Sequence, residues 1–210
     1  MVEKIIVVGA GGHCKVILSV LRYYKEYSVI GIADRDSSSK GEEISGSIIK
    51  FSWNDFKEIY DNGTKYAAIA IGDNKERKEL FKELSSIGFK IPTVIHPTAL
   101  IEKDSLIRNG CLVCMGAKIG VEVHIGENCI IYTGSILDHE VRLEDHVYIS
   151  PGCSVAGRVT IKEGSFIGIG TSIKEKISIG KNVVVGAGSV VIGDIPDNST
   201  VAGVPAKRIR

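Results

Sequence analysis

The sequence predicts a small α/β domain followed by a parallel β-helix, and three observations predict it. An aliphatic residue recurs at every sixth position through the carboxy-terminal half. A second series of small or β-branched residues runs four places behind it. The first ninety residues instead alternate continuous apolar runs with amphipathic ones.

The repeat carries most weight. From Ile95 to Val191 every sixth residue is isoleucine, leucine or valine, 17 positions without interruption. The companion series begins Ala99, Ser105, Cys111, Ala117 and continues to Ile195. Because six is not a multiple of 3.6, the two series cannot share a helical stripe, whereas short extended strands with a corner after each can turn both inward. Three hexads then close one triangular coil, and successive coils stack as parallel strands about 4.8 Å apart. Glycines at 110, 116, 120, 126, 134, 152, 164, 168, 170, 180, 186 and 188 fall mainly in the intervening turns, where a positive φ is cheap. The pattern resembles the hexapeptide repeat of left-handed parallel β-helices over residues 95–195. The left hand is implied by that resemblance, since parallel crossovers are ordinarily right-handed.

Ahead of the repeat, "KIIVVGAGGHCKVILSVLRYY" reads as a strand, a glycine turn and an amphipathic helix. "SVIGIADRD" is a second strand ending in acidic residues, "KYAAIAIGDN" a third, and "NKERKELFKELSSIG" a helix closed by Gly88. This alternation predicts a Rossmann-like parallel sheet. The domains are therefore 1–93, Rossmann-like; 94–196, β-helix; and 197–210, a capping tail. Gly9 and Gly11 are followed by Cys14 where a dinucleotide fingerprint has its third glycine. The loop either permits a tight bend or holds a diphosphate on the backbone amides at the helix start.

Composition excludes several classes. A formal net charge of +1 without like-charge blocks gives no footprint for nucleic acid or an anionic membrane. No apolar run approaches a membrane span and no leader is visible, so a cytoplasmic protein is expected. Cys111 and Cys114 form one CxxC without a second pair, so no metal site is predicted, and the five cysteines read as reduced, buried thiols.

Taken together, the loop GAGGHCK, the hexapeptide repeat, the segment "GSILDHEVRLEDHVYISPG" and the ending "AGVPAKRI" resemble the sialic-acid O-acetyltransferase and PglD-like amino-sugar N-acetyltransferase family over nearly the whole chain. The resemblance implies a homotrimer with acetyl-coenzyme A as co-substrate between neighbouring β-helices. It also implies a nucleotide-linked amino sugar, UDP-linked by preference, as acceptor in bacterial surface-glycan synthesis. By position it makes His139 the catalytic base and Glu140 the acid that supports it. Gly11, Gly12, His13, Asp34, Arg35 and Gly72 match sugar-nucleotide contacts, and Tyr148, Ile169 and Ala187 match contacts to acetyl-coenzyme A. Two positions depart from an amino-sugar member of the family: Tyr148 replaces a histidine, and Arg35 replaces a second acid.

These residue types suit acyl transfer. An amine must lose a proton before it attacks a thioester, and an imidazole is the natural base, typically contributing about 10²–10⁴-fold. The attack creates an oxyanion that needs a fixed donor, and Gly157, one coil of 18 residues after His139, offers an unobstructed backbone amide. O-acetylation of a sialic acid or polysaccharide precursor is the near alternative. A metal-dependent hydratase using His124, His139 and His146, and a non-catalytic sugar-binding scaffold, are the distant ones.

Overall fold

A computed structural model describes residues 2–209, which divide into two compact units, one ending at Val94 and the other beginning at Ile95. The first unit runs β1 (Glu3–Val8), α1 (Gly12–Leu21), β2 (Tyr27–Asp34), β3 (Glu43–Ile44), β4 (Ser47–Ser52), α2 (Phe56–Asp61), β5 (Tyr66–Ile69) and α3 (Asn74–Ile87). Its sheet has the order β3-β4-β2-β1-β5, parallel except for β3. The β3–β4 hairpin adds to the three strands read from sequence, and it turns through Ser45 and Gly46, both at positive φ. Ile6 and Val8 pack with Phe56 and Ile59 of α2 and with Leu80 and Leu84 of α3. Helix α3 is capped at both ends: the Asp73 side chain accepts from the Glu76 amide at 2.8 Å, and Gly88 closes it at φ 111°.

In the second unit the described residues form 17 two-residue strands at six-residue intervals, from β6 (Val94–Ile95) to β22 (Val190–Val191). They stack into three parallel sheets. Face I carries β7, β10, β13, β16, β19 and β22; face II carries β8, β11, β14, β17 and β20; face III carries β6, β9, β12, β15, β18 and β21. Each strand pairs with the one 18 residues on, as Ile136 with Ser154 and Tyr148 with Phe166. The second residue of each strand points inward, and from Val113 to Val191 all these aliphatics are buried; Ile95, Ile101 and Ile107, in the first coil, are only partly so. The small series fills the remaining interior; some of its polar members bond to carbonyls of the next coil, and others, such as Ser135 to Tyr132 O and Ser189 to Gly186 O, bond within their own turn. Cys111 Sγ reaches Gly126 O at 3.0 Å, Cys153 Sγ reaches Gly168 O at 3.1 Å, and Ser165 Oγ reaches Gly180 O at 2.7 Å. All five cysteines are free and buried. This is a hexapeptide-repeat left-handed β-helix. The chain end rejoins face III, with β23 (Thr200–Ala202) parallel to β21 and β24 (Lys207–Arg208) antiparallel to β23.

The turn glycines split into two kinds. Gly110 and Gly116 do adopt positive φ. Gly120, Gly126 and Gly168 do not; an added Cβ there would strike the neighbouring coil, as at Gly168, 2.6 Å from Val185 O. At these the missing side chain serves close coil stacking, a use of glycine that the turn reading from sequence did not include. The left-handed position itself recurs at every sixth residue from Gly110 to Gly188. Its occupants differ by corner. Between faces III and I it is glycine (116, 134, 152, 170, 188); between I and II it is charged (Glu122, Glu140, Arg158, Lys176); between II and III it is glycine, asparagine or His146. Among the described residues, no helix is long and apolar enough to cross a membrane.

Candidate functional site

The turn joining β13 (Ile136–Leu137) to β14 (Arg142–Leu143) presents His139 and Glu140 at the corner between faces I and II. Glu140 adopts φ 59°, which folds its side chain back beside its neighbour instead of onto the opposite face. His139 Nδ1 lies 2.9 Å from Glu140 Oε2, and the half-exposed ring leaves Nε2 free to exchange a proton. The backbone below is anchored by the Asp138 carboxylate, which accepts from the His139 amide at 2.7 Å.

Gly157 sits one coil further along the same corner. A Cβ on it would fall 2.5 Å from both Cε1 and Nε2 of His139, so the imidazole lies directly against this glycine. The Gly157 amide is not spent on the coil: Ala156 and Arg158 donate to the carbonyls of Ile173 and His139, and Gly157 donates to none among the described residues. Ring and unspent amide are thus adjacent. The residue following, Arg158, donates from Nε to Glu140 Oε2 at 2.8 Å. Its guanidinium first, and the imidazole second, hold the Glu140 carboxyl below the ordinary glutamate range. The 18-residue step that leads from His139 to Gly157 also leads from Glu140 to Arg158, and that step was the available signal for this arginine.

The residues matched to acetyl-coenzyme A occupy other edges of the prism. Tyr148 points outward from β15 (Tyr148–Ile149) on face III, in an aromatic column with Tyr132 and Phe166 at centroid distances of 5.9 and 5.0 Å. Ile169, 56% exposed, and Ala187 lie in the turns that leave face III for face I, beside the glycine row. The corner between faces I and II is the one opposite face III in a triangular section. One chain therefore cannot set His139 against Tyr148.

In the α/β unit, the substrate-matched residues gather beyond the carboxyl ends of the parallel strands. The turn Gly9–Gly11 follows β1, Asp34 and Arg35 end β2, and Gly72 follows β5. Strand order reverses between β1 and β5, which is where open parallel sheets form their ligand crevice. Gly9 must be glycine: at φ 109° an added Cβ would lie 2.6 Å from Ile71 Cδ1. Helix α1 begins at Gly12 without a side-chain cap, leaving its first amides to other acceptors. Arg35 bridges Glu76 at 2.6 Å and covers the Trp53 ring at 4.5 Å, while Asp34 accepts from Ser39 Oγ at 3.2 Å. His13 is lowered to about 4, by burial first and by Arg77 second. Arg77 was missed in the sequence. It takes a core position in the apolar stripe of α3 with Leu80 and Leu84, is 1% exposed, and donates to Gly72 O at 3.2 Å.

The remaining histidines do not assemble with His139. His124 faces outward on face II, 3.2 Å from Arg142 Nη1, and buried His146 meets Asn128 Nδ2 at 2.9 Å. Among the described residues no cluster of three or more metal-ligating side chains forms.

A stacked hexapeptide β-helix with an imidazole–carboxylate pair on one corner, preceded by a parallel α/β unit with a glycine turn, defines a hexapeptide-repeat acyltransferase with a nucleotide-binding type of front domain. Comparison with known proteins agrees. Residues 4–84 match the PglD N-terminal domain, and residues 158–193 match the bacterial transferase hexapeptide repeat. PerB of Caulobacter crescentus, solved with CoA and GDP-perosamine, is 31% identical, with 100% of this chain and 99% of that one covered and a TM-score of 0.94. The acetyltransferase domain of PglB from Neisseria gonorrhoeae is 31% identical over 99% and 100% of the two chains, with a TM-score of 0.92. WeeI from Acinetobacter baumannii is 25% identical over 99% and 100%, with a TM-score of 0.87. The chain belongs to the PglD-like family of hexapeptide-repeat acetyltransferases.

Proposed function

We propose that the protein transfers the acetyl group of acetyl-coenzyme A to the amino group of a nucleotide-linked amino sugar. One observation carries the reading: the His139 imidazole, bonded to Glu140, lies on Gly157 beside an unspent amide. Glu140 accepts the Nδ1 proton, which makes Nε2 the basic nitrogen. Nε2 takes a proton from the acceptor amine as its nitrogen attacks the thioester carbon. The resulting oxyanion is held by the Gly157 N–H. Collapse breaks the carbon–sulfur bond, and the departing thiolate recovers the proton from the imidazolium. Glu140 remains ionised throughout, and its charge stabilises that imidazolium.

The working unit is a homotrimer. His139 and Tyr148 occupy opposite sides of the prism, so a coenzyme touching both lies between two chains, Tyr148, Ile169 and Ala187 coming from one and His139 from the next. The turns between faces III and I support this, because the glycine row alternates there with exposed apolar side chains, Met115 and Ile169, that a coenzyme or a neighbouring chain would cover. The α/β unit binds the acceptor, its diphosphate on the amides of Gly11, Gly12 and His13 and its sugar-nucleotide on Asp34, Arg35 and Gly72. PerB and the PglB domain, solved with GDP-perosamine and CoA and with acetyl coenzyme A respectively, support both substrate classes. Acetyl-coenzyme A and nucleotide sugars are cytoplasmic metabolites, and the protein is placed with them.

The test is an acetylation assay offering UDP- and GDP-linked 4-amino sugars beside free sialic acid, run with the wild type and His139→Ala. Turnover of a nucleotide-linked amine, falling at least about 10²-fold in H139A, supports the reading. Wild-type turnover by folded, trimeric H139A, or acetylation of sialic acid alone, overturns it.

A further inference from the structure

We infer that Arg158 is a positioning residue for acetyl transfer, pinning the Glu140 carboxylate where His139 needs it. The inference rests on the reading of His139 and Glu140 given above.

Two observations bear on it. The first is contact. Arg158 Nε and His139 Nδ1 meet the same oxygen, Glu140 Oε2, at 2.8 and 2.9 Å. Glu140 is 39% exposed, and its side chain has several rotatable bonds, so the histidine alone leaves it several rotamers to wander among. A second, charge-assisted bond from the coil above restricts it to the rotamer that faces the ring.

The second observation is backbone cost. Arg158 occupies a left-handed position at φ 62°. Of the 14 such positions from Gly110 to Gly188, seven are glycine and two asparagine, the residues that adopt this conformation most readily. The backbone here would be more comfortable with glycine. Glu122, Glu140 and Lys176 hold the same position elsewhere along this corner, so a charged residue there is general to the edge; what sets Arg158 apart is the group it reaches, the carboxylate of the proposed catalytic pair. Its own amide donates to His139 O at 3.0 Å whatever side chain is present, so the coil does not need the guanidinium.

The experiment uses R158G, R158K, E140Q and the R158G/E140Q double variant of the full-length protein, with kcat, KM for both substrates and Tm measured for each. R158G is expected to lower kcat about 5-fold, the scale of one charge-assisted bond at a half-exposed site, with both KM values within twofold and Tm unchanged or raised. R158K, which keeps a cation over Glu140, retains most of the turnover. In the E140Q background, removing Arg158 adds no further loss, because it acts through that carboxylate. Wild-type kcat in R158G overturns the inference, as does a loss that persists undiminished in the E140Q background. The proposed function stands or falls separately, on H139A.

Discussion

Replacing Gly157 by alanine probes the closest contact in the site. An alanine Cβ would lie 2.5 Å from Cε1 and Nε2 of His139 and 3.0 Å from Cδ2. Non-bonded carbons ordinarily sit about 3.5–4.0 Å apart, so the ring must withdraw by about 1 Å. That shift moves Nδ1 off its 2.9 Å bond to Glu140, or draws the carboxylate away from Arg158. Gly157 is not at positive φ, so the methyl adds no backbone strain, and the amide that would hold the oxyanion is retained. Misplacing a reacting group by about 1 Å costs about 10²-fold in rate, or about 2.7 kcal/mol of barrier. G157A is therefore expected to lose about 10²-fold in kcat, with KM for acetyl-coenzyme A little changed and Tm within about 2 °C of wild type. Release of free coenzyme A, followed with a thiol reagent at saturating acceptor, measures the rate, and a thermal melt reports the fold. Wild-type kcat would refute the reasoning. So would a kcat loss matched by a Tm drop of about 10 °C, which would place the cause in the coil instead of the ring.

Three further outcomes follow from the same structure. E140Q keeps an acceptor for His139 but removes the charge that stabilises imidazolium, so kcat should fall about 10-fold with Tm unchanged; unaltered turnover would remove Glu140 from the mechanism. His13 protonates in the unfolded chain near 6.5 but in the folded one only near about 4, so the folded state holds fewer protons between those values. The stability this contributes is fully present above about pH 6.5 and is lost as pH falls toward 4, by at most about 3 kcal/mol. Urea melts at several pH values should show H13N with a shallower acid decline than wild type, and parallel curves would contradict the assignment. Ile149 is wholly buried in the prism, so I149A should lose about 2–5 kcal/mol in denaturant melts while the surviving folded protein keeps its kcat; a negligible loss would mean the coil collapses around the gap.

The β-helix was legible in the sequence because its interior is one-dimensional. Each coil meets only the next, so inward positions must recur at a fixed step, and the series from Ile95 to Val191 records that step directly. The same step of 18 relates His139 to Gly157, since coil neighbours are sequence neighbours at that distance. Strand alternation in the first unit likewise identified a parallel sheet with its glycine turn. What the sequence could not decide was how side chains meet across the coils. The imidazole lying on Gly157, and the guanidinium of Arg158 sharing the Glu140 oxygen with it, depend on left-handed backbone at residues 140 and 158 that no residue type there announces. The hexad count does place Tyr148 on the face opposite the His139 corner, but does not show which side chains there approach one another. Arg77 is a similar case, a cation drawn into an apolar stripe by a carbonyl at the end of another element. Periodicity sets which residues face in; only the folded chain sets which of the outward ones touch, because those contacts depend on corner geometry and not on the repeat.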